Sequence, residues 1–274
     1  MALIPLSLFL GGSVTAIPVV TGIAEGVSHQ KKQNEEAANE SRMIKFNILI
    51  SCDSKDELAE EVDNGIAVLR HDKVWIVPRE DRDGKPFPVP PIPNMQPPLH
   101  AFAGFYIQYP DDDRVPPERG LVSTISDDPP MLNWIYVDKS TYELRYGNRT
   151  ASIEHIVGEW DWTEDEMRVM LEGWEGFVAV DESSAMSEEE WEQTPWGKEG
   201  LRWAIYYDRD DNGLKGRRGK RNVFEIVLHR RLQSKEDQLK QLEEAERKMQ
   251  VKSRGDLKTQ FTAPAAERER ASRK

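Results

Sequence analysis

The most specific chemical pattern in the sequence is the run DRDDNG at residues 208–213. The side chains of Asp208, Asp210 and Asn212 stand at alternate positions, like the first oxygen ligands of an EF-hand-type calcium loop, and the glycine permits the sharp turn. The twelfth position is Gly219, where such a loop carries a bidentate Glu. The pattern therefore leaves two interpretations, a calcium site that takes its last ligand from elsewhere or a solvated hairpin turn.

A basic run, KGRRGKR at residues 215–221, follows in the same loop. Cations at this density oppose a metal ion, and such runs are also found in proteins that bind nucleic acid. The acidic residues beside the run and the net charge of -12 argue against a nucleic-acid partner, because both repel phosphate. We expect no nucleic acid and no cofactor, apart from calcium in the first interpretation of the loop.

Tryptophan residues are concentrated in the acidic part of the chain, where six of the eight fall between residues 160 and 203. Trp160, Trp162 and Trp174 beside carboxylates are candidate platforms for a carbohydrate. The neighbouring Glu159 and Asp161 are residue types that perform acid/base work on a glycosidic bond. The alternative interpretation is that these rings fill the core of a small β-domain and that the carboxylates keep its surface soluble.

Other chemistry-bearing residues form no recognisable constellation. The five histidines are far apart, without the close spacing of metal ligands. The single cysteine, Cys52, excludes an intramolecular disulfide and a cysteine zinc site. No phosphate-binding loop, dinucleotide fingerprint or G-x-S-x-G motif occurs, so no catalytic residue is assigned and a binding protein is favoured over an enzyme.

The elements that must position these residues are strands. Residues 43–231 alternate apolar and polar side chains with period two and are interrupted by turn residues, which predicts an antiparallel β-sandwich or partly open barrel. We expect hairpins within residues 66–78 and 133–146. We also expect segment 167–171 to pair with 177–180, and segment 202–207 to pair with 223–228.

The N-terminal residues 1–24 contain no charge and are long enough to span a bilayer. Lys31 and Lys32 lie in the polar linker or helix, residues 25–42, so the positive-inside rule predicts a membrane-associated protein with a cytosolic domain. Two alternatives remain: a cleaved signal peptide on a secreted protein, and an apolar segment that packs on the domain or on a partner.

The C-terminal residues 232–274 are highly charged. Leu239, Leu242 and Met249 form one thin apolar edge, which favours an exposed helix or a coiled-coil contact. The composition after Arg254 is typical of a disordered tail.

Residues 123–182, including the segments STISDDPPMLNWIYVDKSTYELRYGNRT and LEGWEGFVAV, together with residues 203–212, resemble a family of proteins from filamentous fungi. The resemblance covers most of the β-domain. It implies that the domain is one structural unit, and it implies no activity, ligand or catalytic residue.

The sequence as a whole favours a non-catalytic binding or interaction module that is tethered near a membrane and recognises a protein partner. One alternative is a carbohydrate-binding or glycoside-processing domain built on the tryptophan-rich region. Another is a calcium-dependent binding module built on the loop at residues 208–213.

Overall fold

The computed structural model describes residues 42–127 and 130–234. The chain divides into two compact units, Met1–Ile44 and Lys45–Lys274, and the fold described below belongs to the second. The proposed membrane anchor at 1–24, the linker at 25–41 and the charged helix and tail from 235 onward lie outside the described residues. No helix within the described ranges is both long and apolar enough to cross a membrane.

Strands account for most of the regular structure, because the alternating apolar residues place one face of each segment against the core. The strands are β1 Phe46–Ser51, β2 Gly65–Arg70, β3 Lys73–Arg82, β4 Lys85–Pro88, β5 His100–Ala101, β6 Gly104–Gln108, β7 Arg119–Asp127, β8 Pro130–Val137, β9 Leu144–Gly147, β10 Trp160–Trp162, β11 Val169–Leu171, β12 Phe177–Asp181, β13 Trp203–Tyr207, β14 Val223–Glu225 and β15 Val227–Leu232.

The helices of the described part are short and lie in the connections. The α-helices are α1 Arg149–Ser152, α2 Glu188–Gln193 and α3 Pro195–Lys198, and 3₁₀ helices span Glu57–Glu61 and Glu182–Ala185. Helix α2 begins at a capping box, in which the Glu190 backbone N–H donates to the Ser187 hydroxyl and the Ser187 backbone N–H donates to the Glu190 carboxylate.

Thirteen strands form one antiparallel sheet that curves back on itself. Its path runs β14-β12-β13-β3-β9-β8-β7-β6-β1-β2-β5, and β2 pairs again with β3. The other two strands lie off this path, where β15 pairs with β1 and β4 pairs with β3. Several links on this path, including β1–β2 and β1–β6, consist of a single residue pair, so neighbouring strands diverge beyond the contact. This arrangement confirms the expected mostly-β, antiparallel architecture of a sandwich or partly open barrel.

Two hairpins form as expected. Strands β2 and β3 pair along their length around His71 and Asp72, whose positive φ values of 50° and 58° suit a two-residue hairpin loop. Strands β8 and β9 pair around residues 138–143.

Two expected strand pairs are wrong. Strand β11 pairs with β10 rather than with the segment at 177–180. Strand β12 lies between β13 and β14, so the segments at 202–207 and 223–228 do not pair with each other.

One continuous hydrophobic core lies inside the curved sheet. On β1 the alternate residues Phe46, Ile48 and Ile50 all point into it and are at most 2% exposed. The largest fully buried side chains are Trp75, Trp160, Tyr106, Tyr109, Tyr206, Tyr207, Phe46, Phe102 and Phe177. Large aromatic rings are therefore packed among the Ile, Val and Leu side chains of the strands.

Candidate functional site

The three candidate tryptophans differ in exposure. Trp160 on β10 is 0% exposed, and its ring stacks on Phe177 with a centroid distance of 6.0 Å and an interplanar angle of 11°. This ring belongs to the core and presents no surface to a ligand in the structure. The sequence alone does not separate it from its neighbours.

Trp162 is half-buried at the end of the same strand. One edge of its ring contacts Tyr106, at a centroid distance of 5.5 Å. The guanidinium carbon of Arg230 lies 4.1 Å from the centre of the Trp162 ring. Because a cation from β15 already covers this ring, Trp162 is a less accessible platform than its type suggests.

Trp174 lies in the turn between β11 and β12 and is half-buried. Its ring rests against the backbone of Gly176, where a Cβ atom would lie only 2.1 Å from Cζ2 of the indole. Behind it, the ring of the buried Tyr207 has its centroid 6.2 Å away. The glycine and the tyrosine together hold the indole in place and leave part of it exposed.

A charged pair adjoins this turn. Nη2 of Arg209 donates to Oε1 of Glu172 at 2.6 Å, and both residues are exposed. On the other side of the turn, Nη1 of Arg168 lies 3.1 Å from Oε1 of Glu175. The turn that carries the indole thus holds two ion pairs, and the Glu172–Arg209 pair is the one whose two residues are both exposed.

The predicted calcium residues form a turn that touches the same place. The backbone N–H of Asp208 donates to the Gly176 carbonyl at 2.7 Å. Oδ2 of Asp208 accepts the N–H groups of Asn212 and Gly213 at 3.0 and 2.6 Å, and the residue is 5% exposed. The structure thus brings Trp174 and the loop at 208–213 together, a proximity that sequence patterns alone do not predict.

The turn geometry occupies oxygens that a calcium ion would need. Oδ1 of Asn212 accepts the N–H of Lys215 at 2.7 Å, and Oδ2 of Asp210 lies 3.7 Å from Nη1 of Arg217. Oδ1 of Asp208 is buried without a hydrogen-bond partner. In the described part of the chain no group of three or more His, Cys, Asp or Glu side chains is placed to hold a metal ion, and the calcium site stays a prediction.

The second half of this loop, residues 214–222, is anchored at three points. Leu214 is 1% exposed. The guanidinium of Arg217 lies 3.8 Å from the centre of the Tyr142 ring, and its Nε donates to the Ser140 carbonyl. Arg221 reaches into a buried polar network. These contacts fix the course of the loop and use two of its basic side chains.

The buried network joins four further side chains. Nζ of Lys73 contacts the carboxylates of Glu143 and Glu182 at 3.1 and 3.0 Å, and the Tyr206 hydroxyl donates to Glu182 at 2.6 Å and lies 3.0 Å from Glu143. Nη1 of Arg221 completes it with contacts to Tyr206 and Glu182. Burial, followed by the negative charges of the two glutamates, raises the pKa of Tyr206, so its hydroxyl remains a neutral donor.

Two arrangements that resemble catalytic ones are also held by structural contacts. Asp161 pairs with the Arg119 guanidinium, and Oε1 of Glu159 accepts the Arg119 backbone N–H at 3.2 Å. Oγ of Ser51 lies 2.8 Å from Nε2 of His229, a pair that sequence reasoning missed because 178 positions separate the two. Within residues 42–127 and 130–234, no carboxylate bonds the other His229 nitrogen, so this pair is not a triad.

Comparison with known proteins agrees with the fold. The model of the fungal β-trefoil domain family matches residues 22–234, which is more than half of the chain and includes every described strand. No curated protein matches the chain, and no solved structure does. The resemblance to a fungal family is thereby confirmed, and the chain belongs to the fungal β-trefoil domain family.

Proposed function

We propose that this domain is a non-catalytic carbohydrate-binding module whose ligand stacks on the Trp174 ring. The main observation behind the proposal is the half-buried Trp174 indole, which contacts Gly176 on one side and packs near the Tyr207 ring. A rigid aromatic ring offers a large contact area without losing side-chain freedom on binding, which lowers the entropic cost of association.

The polar groups around the ring suit a sugar. The exposed Glu172–Arg209 pair supplies acceptors and donors for ligand hydroxyl groups, and Glu172 lies in the same turn as the indole. A pyranose ring has an apolar C–H face and polar hydroxyl edges, and the site offers an apolar face and polar edges in return. Binding sites of this kind combine one apolar contact with a few placed polar groups.

Binding without catalysis is supported by the state of the carboxylates considered for acid/base work. Asp161 is ion-paired with Arg119, and Glu159 accepts a backbone N–H from the same residue. A carboxylate that performs acid/base work must be available to the glycosidic bond, whereas both of these are engaged by Arg119. The geometry therefore favours recognition over hydrolysis.

The proposal is tested with a glycan array, followed by titration of the best ligand into wild-type protein, Trp174→Ala and Trp162→Ala. We expect Trp174→Ala to weaken binding at least roughly tenfold, or about 1.4 kcal/mol, because the stacking surface is lost. Trp162→Ala serves as the control, since it removes a half-buried tryptophan covered by Arg230. Circular dichroism confirms that both variants fold. Equal affinity of Trp174→Ala and wild type, or an array without any bound glycan, would exclude the proposal.

A further inference from the structure

We propose that the carbohydrate recognised at Trp174 is anionic and carries carboxylate or sulfate groups. This inference rests on the proposed function and names the chemical class of its ligand. It comes from three side chains that have no partner among residues 42–127 and 130–234, Lys215, Arg218 and Lys220, which we term the basic tip.

The basic tip is exposed and has no partner of its own. None of its three side chains makes an ion pair or hydrogen bond to a residue of the described ranges. The other basic residues of the loop differ, because Arg209 bonds Glu172, Arg217 packs on Tyr142 and Arg221 enters the buried network. The cations of the tip are thus the ones that remain available to a ligand.

A series of contacts links the basic tip to the turn that carries Trp174. The Trp174 ring lies on Gly176, and the Gly176 carbonyl accepts the N–H of Asp208. Asp208 in turn accepts the N–H of Gly213 at 2.6 Å. A Cβ atom built on Gly213 would lie 3.7 Å from Nη1 of Arg218. These contacts connect the turn that carries Trp174 to the loop that carries Arg218, and we expect an oligosaccharide bound on the indole to extend along them to the Arg218 guanidinium.

The charge of the loop contrasts with that of the whole protein. Residues 208–222 contain six basic and three acidic residues, whereas the chain has a net charge of -12. A local positive field on an acidic molecule attracts a compact anion, and it leaves a long polyanion exposed to repulsion from the rest of the surface. The charge distribution therefore favours an acidic saccharide over a nucleic acid.

The anchored course of the loop also favours binding. Leu214, Arg217 and Arg221 fix the backbone on either side of the tip residues. Gly216 and Gly219 adopt positive φ values of 84° and 60° and have open space around them, so the tip projects into solvent. Cations on a fixed loop lose less entropy on binding than cations on a mobile one.

The experiment compares pairs of oligosaccharides that differ only in charge, such as oligogalacturonate and its methyl ester, and sulfated and unsulfated forms of one chain. Full-length wild type is measured beside the triple variant Lys215→Gln, Arg218→Gln, Lys220→Gln. A second triple variant, Lys55→Gln, Lys85→Gln, Lys198→Gln, makes the same change in net charge on other elements.

We expect wild type to prefer the anionic member of a pair, and the tip variant to lose roughly tenfold in affinity for it, as three exposed charge contacts would give. Affinity for the neutral member stays constant, and the control variant behaves as wild type. Raising the salt concentration reduces the anionic preference of wild type, because exposed charges are screened.

Two results obtained with glycans would overturn the inference. One is an anionic affinity that the tip variant retains in full, and the other is a wild type that prefers neutral glycans. Either leaves the proposed function intact, because that depends on Trp174→Ala. Single-stranded DNA of equal charge that binds wild type and Trp174→Ala equally well would also overturn it, since the tip would then attract any polyanion.

Discussion

At the scale of single residues, the most strongly held charge is the Asp181 carboxylate, which is 0% exposed. Nη2 and Nε of Arg202 donate to its two oxygens at 2.7 and 3.0 Å. Ser183 and Asn222 donate to it as well. Burial alone would raise the pKa of Asp181, but the bonds from Arg202 and the other donors outweigh it and hold the pKa below its usual value.

We expect Asp181→Ala to lower the free energy of unfolding by about 1–3 kcal/mol at pH 7, because Arg202, Ser183 and Asn222 lose a buried acceptor while Arg202 keeps its pair with Glu61. A carboxylate with a depressed folded-state pKa stabilises the fold above its unfolded pKa of about 3.9, and this contribution disappears as the pH falls through the folded value. The difference between wild type and variant must therefore shrink below about pH 4.

Urea unfolding at pH 7 and pH 3 measures both values. Asp81→Ala is the control, because Asp81 forms an exposed pair with Arg79 and its loss should cost at most about 1 kcal/mol. A cost for Asp181→Ala that is equal at both pH values would contradict the assigned charge state.

Residue types in the sequence identified the candidates but not their exposure. Trp160 and Trp162 are two positions apart on one strand and so share a face, yet the first lies in the core and the second beneath Arg230. That difference comes from β15, which begins at Val227, far away along the chain. Likewise, the acidic and basic halves of the loop at 208–222 neutralise each other in the sequence. The contacts of Arg209, Arg217 and Arg221 show which of its cations are engaged by the described residues.

At the scale of elements, apolar–polar alternation predicts which face of a strand is buried more reliably than it predicts which strands pair. The short turns at His71–Asp72 and at 138–143 dictated their hairpins, since a tight loop forces adjacent strands to pair. The turn between β11 and β12 is also short, but backbone hydrogen bonds between Leu171 and Trp174 close it. Strand β12 is then free to pair with β13 and β14.

The same turn provides a test of how Trp174 is held. Gly176→Ala places a methyl group against the indole, which we expect to destabilise the fold by about 1–3 kcal/mol and to weaken glycan binding. In the background of Trp174→Ala the clash is absent, so the cost of Gly176→Ala should fall below about 1 kcal/mol. Thermal unfolding of the wild type, both single variants and the double variant completes the cycle. Additive costs would show that the ring does not rest on the glycine.

At the scale of the whole molecule, the fold class was predictable, whereas the pairing of the first strand with the last was not. Period-two alternation interrupted by turn residues indicates an antiparallel β-domain regardless of how its sheet is joined. The pairing of β1 with β15, from Phe46↔Leu232 to Ser51↔Val227, joins strands that are far apart along the chain. Side-chain periodicity carries no information about pairings of this sequence separation, and one aromatic core serves many arrangements of the same strands.

The pairing of β1 with β15 predicts where the domain can be shortened. Strand β15 contributes the buried Leu228 and Arg230, and the Arg230 guanidinium lies 4.9 Å from the Phe46 ring centre. A chain of residues 43–234 should therefore unfold cooperatively within a few degrees of the full-length protein, whereas a chain of residues 43–226 should not fold. The loss of β15 exposes one edge of β1 and removes core side chains together.

Circular dichroism melts of the two shortened chains beside the full-length protein make the comparison. Glycan binding by residues 43–234 at full affinity would place the recognition surface within the sheet and its loops, as Trp174 and the basic tip require. A cooperative melt of residues 43–226 would contradict this prediction, because the sheet would then be stable without the strand that pairs with β1.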